Sequence, residues 1–306
     1  KDGVRIINCA RGGIIDEDAL YDAIVEGKVA GAALDVLSVE PFVGHKLLDL
    51  PQVIATPHLG ASTVEAQESV AIDVSMDVIK FATDGTVRNP VNMPSISKRL
   101  LDKIEPFFVL TEKLGAFASH LVDGAYQEVN VTYAGELAEV DVRPLTRNLM
   151  KGLLTLNLGN HVNDVNSRYL SNRIGIKIDE LKTTATKGFT NLITVEVVTE
   201  KGSVKVAGTL LNGLGPRIVK VDDYPVDVVP EGHLLLINHK DQPGAIGRVG
   251  MHLAAENVNI ATMQVGRSEQ GGKAIMILTV DYEVKPEEVE GLEQLDNVFE
   301  VKAINF

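Results

Sequence analysis

The sequence predicts α/β followed by α+β: the carboxyl-terminal part of a doubly wound sheet, a mixed middle unit, and a ferredoxin-like sandwich. Three observations carry this. Short apolar runs at 4–8, 29–36 and 53–55 are separated by one helical pattern and one loop, as in a buried parallel sheet. Alternating runs between 190 and 221 are separated by hairpin-type turns, Glu200-Lys201-Gly202 and Asn212-Gly213. Residues 232–306 follow the order β-α-β-β-α-β.

Composition bounds the function. With 306 residues the chain is long enough for two or three domains. A net charge of −13 argues against nucleic acid and against anionic membrane surfaces as partners. No apolar run approaches the ~20 residues of a membrane span. The single cysteine, Cys9, excludes an internal disulfide and fits a reducing cytoplasm. Lys1-Asp2-Gly3 is neither a signal peptide nor a start methionine, and a strand follows at once, so the chain is expected to begin inside a domain.

Residues 4–8 are the first strand, and Cys9-Ala10-Arg11-Gly12-Gly13 is a turn. Asp16 can cap a helix with Ala19, Leu20, Ala23 and Ile24 on one face, ended by Gly27. Strands at 29–36 and 53–55 flank a loop holding Glu40-Pro41. Pro57 forces Thr56 to stay extended, and Gly60 permits a tight bend. Ser62 with Glu65 makes a capping box for a helix over 63–83, which shows Ala66, Val70, Val74 and Val78 at helical spacing and stops near Gly85. Residues 88–94 carry two prolines and no periodicity, which marks a linker and bounds a first domain at 1–94.

The second domain is 97–230. It has a helical pattern over 100–121 interrupted at Pro106, a strand at 127–133, a helix at 144–158, and strands at 190–198, 203–211 and 217–221. Its basic residues Arg143, Arg147, Arg217 and Lys220 read chiefly as solvated charges. The third domain, 232–306, has strands at 233–239, 258–265, 273–280 and 298–304, with helices after Gly244 and at 286–295.

Arg11, Asp35, Glu40 and His58 each lie just past a strand end. Parallel strands would carry them to one rim, where open α/β sheets bind ligands. A histidine can take a hydroxyl proton and return it. Glu40 can hold the ring, Arg11 offers a planar fork for a substrate carboxylate, and Asp35 can accept a hydrogen bond from a cofactor. Each residue alone has an ordinary structural reading; their shared edge is what favours chemistry. The other histidines lack companions at metal-ligand spacing, so no metal is expected. No G-x-G-x-x-G opens a strand-helix unit.

The strings I-N-C-A-R-G-G-I-I-D (7–16), A-A-L-D-V (32–36), V-E-P (39–41) and T-P-H-L-G-A-S-T-V-E-A-Q (56–67) are similar to the dinucleotide-binding domain of D-2-hydroxyacid dehydrogenases. With the two trailing domains, the whole chain resembles the long members of that family, which oxidise phosphoglycerate. The resemblance implies a Rossmann-type part, an intervening domain of allosteric type, and an ACT regulatory domain. It implies NAD as cofactor and oxidation of 3-phospho-D-glycerate, the first committed step toward L-serine. Arg11, Glu40 and His58 would be catalytic; Cys9, Asp35, His58, Leu59, Gly60 and Ala61 would contact the cofactor. His239, Asp241 and Asn259 would bind an L-serine effector between paired modules of a dimer or tetramer. The family's N-terminal segment and glycine-rich cofactor loop find no match, so the 306-residue chain is expected to be inactive alone. Alternatives are another 2-hydroxyacid dehydrogenase, such as a glyoxylate/hydroxypyruvate reductase, or a non-catalytic amino-acid-binding regulator.

Overall fold

The computed structural model describes all residues except 42–43, 85–89 and 93–95. They form two compact units, Lys1–Asn89 and Pro90–Phe306. Gly85 and most of the expected linker at 88–94 lie outside the described residues.

In the first unit, strands β1 (Val4–Asn8), β2 (Val29–Leu34) and β3 (Val53–Ala55) form a parallel sheet in the order β1-β2-β3. Asn8 pairs with Leu34 and Leu34 with Ala55, so the three carboxyl ends are level. Helix α1 (Glu17–Val25) starts where expected: Asp16 accepts from the Ala19 N–H at 2.9 Å. Its Leu20 and Ile24 pack with Ala32, Leu34 and Leu47 in a small core. Helix α2 (Val64–Asp84) corrects the expected cap, because Thr63, not Ser62, stands immediately before the helix and accepts from Ala66 N–H at 3.2 Å. Val70, Val74 and Val78 share helical spacing but are exposed.

The second unit opens with α3 (Lys98–Ile104). A short 3-10 turn at Glu105–Phe107 takes up Pro106 and leads into α4 (Phe108–Leu121). Then come β4 (Tyr126–Gly135), α5 (Arg143–Leu158), α6 (Ser167–Arg173), β5 (Lys177–Thr183), β6 (Asn191–Thr199), β7 (Gly202–Leu211), β8 (Gly215–Val221) and β9 (Tyr224–Val228). The sheet runs β5-β4-β6-β7-β8-β9. The elements α6, β5 and β9 were not expected from sequence. α6 is one polar seven-residue helix; β5 and β9 are edge strands, rich in charge or carrying Pro225, which weakens any strand signal.

The last elements are β10 (His233–Lys240), α7 (Ala245–Ala255), β11 (Ile260–Arg267), β12 (Lys273–Val280), α8 (Pro286–Glu293) and β13 (Val298–Asn305). Their antiparallel order, β11-β12-β10-β13, is the ferredoxin-like one expected. One face of this sheet, with Leu235, Ile237, Met276 and Leu278, packs under α7 and α8. The other, with Leu234, Leu236, Ile275 and Ile277, joins the core of residues 104–228. No helix among the described residues is long and apolar enough to cross a membrane.

Helices α4 and α5 touch backbone to backbone. A Cβ on Gly115 would lie 2.1 Å from the Leu149 carbonyl oxygen, and one on Gly152 2.0 Å from that of Glu112. Neither obstacle is a flexible side chain. Gly115→Ala or Gly152→Ala is therefore expected to destabilise the second unit by roughly 2–3 kcal/mol in urea unfolding. A loss below about 0.5 kcal/mol would show that the helices part more easily than this crossing implies.

Candidate active site

The rim of the three-stranded sheet is built by its own loops. Asp35, buried just past β2, turns its carboxylate onto the loop after β3. One oxygen accepts from the Thr56 hydroxyl (2.5 Å) and the Leu59 N–H (2.7 Å); the other accepts from Gly60 N–H (2.7 Å). The Thr56 bond, then the two amides, hold the Asp35 carboxyl below the usual carboxylate range. In that loop His58 and Ala61 adopt left-handed backbone, φ 55° and 66°, which non-glycine residues take at a cost. The three bonds from Asp35 hold the loop in that shape.

His58 Nδ1 lies 2.8 Å from Glu40 Oε2. The Nδ1–H donates to the carboxylate, and among the described residues no hydrogen bond engages Nε2. The His58 bond, followed by the Leu37 N–H, holds Glu40 below its ordinary range. The loop bearing Glu40 is itself tied down. Glu17 at the start of α1 accepts from the Ser38 N–H at 2.8 Å and from the Ser38 hydroxyl. A Cβ on Gly12 would lie 2.1 Å from the Leu37 carbonyl oxygen, so the turn after β1 lies directly against the loop after β2. A cavity of about 570 Å³ opens between Asp35, Glu40, Pro41, Leu48, Thr56 and His58.

The structure thus brings Asp35, Glu40 and His58 together. Arg11 stands past the end of β1, exposed, its turn fixed by Asn8, whose side chain donates to the Arg11 carbonyl at 3.0 Å. Its guanidinium bonds the Ala10 carbonyl at 2.7 Å and, among the described residues, bonds neither Glu40 nor His58. Cys9 is exposed beside it. Thr56, Glu17 and Gly12 were not singled out from sequence; each acts through a partner at least 21 residues away, except that Thr56's T-P-H context marked the loop itself.

The effector candidates fall at two places. His239 is 2% exposed; its Nδ1–H donates to the Lys240 carbonyl at 2.9 Å, and its buried Nε2 has no partner among the described residues. Asp241 accepts from Gly271 N–H (3.0 Å) and Arg267 (3.1 Å), and both hold its pKa low. Asn259 donates to Asp281 at the other end of the sheet. His239 pairs with Ala274 and Ile260 with Val280, so six residues of β12, about 20 Å, separate the two places.

Residues 1–60 match the family model of the D-isomer specific 2-hydroxyacid dehydrogenase NAD binding domain. Residues 103–222 match the D-3-phosphoglycerate dehydrogenase intervening domain, and 233–297 the ACT domain. The first domain belongs to the D-isomer specific 2-hydroxyacid dehydrogenase family. The chain as a whole is similar to D-3-phosphoglycerate dehydrogenases. That of Bacillus subtilis is 43% identical over 305 residues, covering 100% of this chain and 58% of the relative. That of Methanocaldococcus jannaschii is 40% identical over 305 residues, with the same two shares, 100% and 58%. The chain therefore spans little more than half the length of these relatives. A solved glyoxylate reductase from Paecilomyes thermophila is 41% identical over 30% of this chain and 28% of its own, with a TM-score of 0.28.

Because Asp35 titrates lower in the folded chain than in the unfolded one, its contribution to stability is present above the ordinary aspartate pKa of about 3.9 and is lost as pH falls through the lower folded value. Asp35→Asn keeps one acceptor oxygen and no charge. It is expected to lower the unfolding temperature at pH 7, to flatten the acid limb below about pH 4, and to speed amide exchange at Leu59 and Gly60. Unchanged exchange at those two amides would mean the carboxylate does not hold the loop.

Proposed function

We propose that the protein oxidises 3-phospho-D-glycerate to 3-phosphohydroxypyruvate, the first committed step toward L-serine, with NAD. The observation that carries this reading is the His58–Glu40 pair, 2.8 Å apart beside a cavity at the carboxyl rim of a parallel sheet, in a chain whose curated relatives bear that enzyme's name. NAD, when bound, would supply the acceptor for the hydride leaving C2. His58 Nε2 accepts the C2 hydroxyl proton, and Glu40 holds the ring by its Nδ1–H and steadies the imidazolium that results. Arg11 turns from the Ala10 carbonyl to the substrate carboxylate and C2 oxygen. The cofactor side of the rim fits a polar dinucleotide end. Cys9 and the His58-Leu59-Gly60-Ala61 loop are exposed, and Asp35 has used only three of the roughly four acceptor positions of a carboxylate.

The module division we propose is 1–94, 97–230 and 232–306, with the last an ACT regulatory domain that takes L-serine. His239 and Asp241 would come from one copy and Asn259 from another, since one chain holds them about 20 Å apart. The reading carries a cytoplasmic homo-oligomer with it.

Activity is to be assayed by NADH formation on the chain extended at its N-terminus to the length of its relatives. His58→Gln is expected to lower kcat by about 10²–10⁴. Glu40→Gln, which leaves the ring's Nδ1–H without a carboxylate to receive it, is expected to lower kcat while changing KM little. Activity of His58→Gln within a few-fold of wild type would sink the assignment. Calorimetry with L-serine is expected to give a saturable heat that His239→Ala abolishes. Serine binding in an extended chain with no dehydrogenase activity would instead favour a regulator.

A further inference from the structure

Glu17 is the first residue of α1, but the helix does not need it as a cap. Asp16 already accepts from the Ala19 N–H, and Asp18, the next acid of the first turn, is exposed and pairs with Lys46 at 3.0 Å. An acid at this place ordinarily stands in water, where the helix dipole favours it slightly. Glu17 is instead half-buried and bonded to Ser38, 21 residues further on. One oxygen accepts from the Ser38 N–H at 2.8 Å and the other from the Ser38 hydroxyl. Both donors belong to one residue, and bonds to a charged acceptor are the strong ones.

Two amides flank the Cα of Leu37. The one that follows is Ser38 N–H, which goes to Glu17; the one that precedes is Leu37 N–H, which donates to Glu40 Oε1 at 3.4 Å. Glu40 Oε2 in turn receives the His58 Nδ1–H at 2.8 Å. The Leu37 side chain is buried with Leu20 and Ile24, and its carbonyl lies against Gly12. Leu37 is therefore held at its side chain, its carbonyl and the following amide, which leaves its own amide aimed at Glu40. That support matters, because a bond of 3.4 Å is weak. With 40% of its side chain exposed, Glu40 is not fixed by packing either. Taking the oxidation proposed above as the reaction, we infer that Glu17 is a positioning residue for it: through Ser38 and the Leu37 amide it sets where the Glu40 carboxylate meets His58. Among the described residues Glu17 bonds neither Glu40 nor His58, so its effect passes through backbone. A displacement of about 1 Å in such a group can cost on the order of 10²-fold in rate.

The test uses the chain extended at its N-terminus to the length of its relatives, assayed by NADH formation. Glu17→Ala is expected to lower kcat about tenfold, with KM for 3-phosphoglycerate and for NAD unchanged within about twofold. Glu17→Gln, which keeps an acceptor for the Ser38 N–H, is expected to recover kcat to within about threefold of wild type. Asp18→Ala, at the exposed neighbour, is expected to turn over as wild type. The deciding comparison is made on a Glu40→Ala background. There Glu17→Ala is expected to cost nothing further, since the group it positions is gone. A merely structural role would lower kcat on that background too. Amide exchange gives a readout apart from turnover: Glu17→Ala is expected to speed exchange at Leu37 as well as Ser38, although Glu17 bonds only Ser38. Should Glu17→Ala not fold, Glu17→Ser, too short to reach Ser38, takes its place. Wild-type kcat in the Glu17 variant, or a further loss of about tenfold on the Glu40→Ala background, overturns the positioning role and leaves the dehydrogenase reading intact. No activity in the wild-type extended chain overturns that reading, and the positioning role falls with it.

Discussion

The carboxylate of Asp35 is the constraint on which the rim depends. Its three hydrogen bonds reach a hydroxyl and two amides of one loop, 21 to 25 residues away. Without them the loop would have to hold two non-glycine residues in left-handed backbone against their own preference. A charged acceptor suits this task, since charge-assisted bonds are shorter and stronger than neutral ones. The orientation of His58 is thus set by a residue just past a different strand, and the ring reaches Glu40 because the loop beneath it is fixed.

Register makes the same point for the rest of the rim. The three strands end level, so each loop leaves the sheet at the same height. Gly12 then lets the first loop lie on the second, and Glu17 pins the second at Ser38. Glu40 is therefore approached from two sides by tied backbone before it meets His58. The geometry is cumulative: parallel register gives proximity, glycine gives close contact, and carboxylates set the angles.

Much of this was legible in the sequence. Strand ends at Asn8 and Ala55, the Asp16 cap, the loop role of Pro57 and the convergence of Asp35, Glu40 and His58 follow from local pattern plus the rule for parallel sheets. What failed did so for physical reasons. Ser62 and Thr63 are both good caps, and one residue decides which backbone turns helical first. Strand β9 carries a proline and sits at an edge, where period-two patterning is weak. The clamps by Glu17 and Thr56 could not be seen, because a hydrogen bond across 21 residues leaves no trace in spacing. Nor does sequence place Ser167 against Arg147, since that depends on how a seven-residue helix with no periodic signal meets α5.

The second unit shows why a module boundary need not be a mechanical one. Strand β10 sends Leu235 and Ile237 into the core under α7 and α8, and Leu234 and Leu236 into the core shared with α4 and the six-stranded sheet. The same alternation holds for β12. At the chain's end Phe306 stacks on Phe117 of α4 with centroids 6.4 Å apart, and Lys302 of β13 binds Asp123 just after α4 at 3.1 Å. Close-packed cores resist local deformation, so a strand buried on both faces cannot shift for one without disturbing the other. Any displacement at the end of β10, where His239 lies and Asp241 follows, must therefore be met by side chains in both halves of the unit. The face away from α7 and α8 is what ties the halves together: Leu234, Leu236, Ile275 and Ile277 lie in the same core as α4 and the six-stranded sheet, so separating the halves would expose all four.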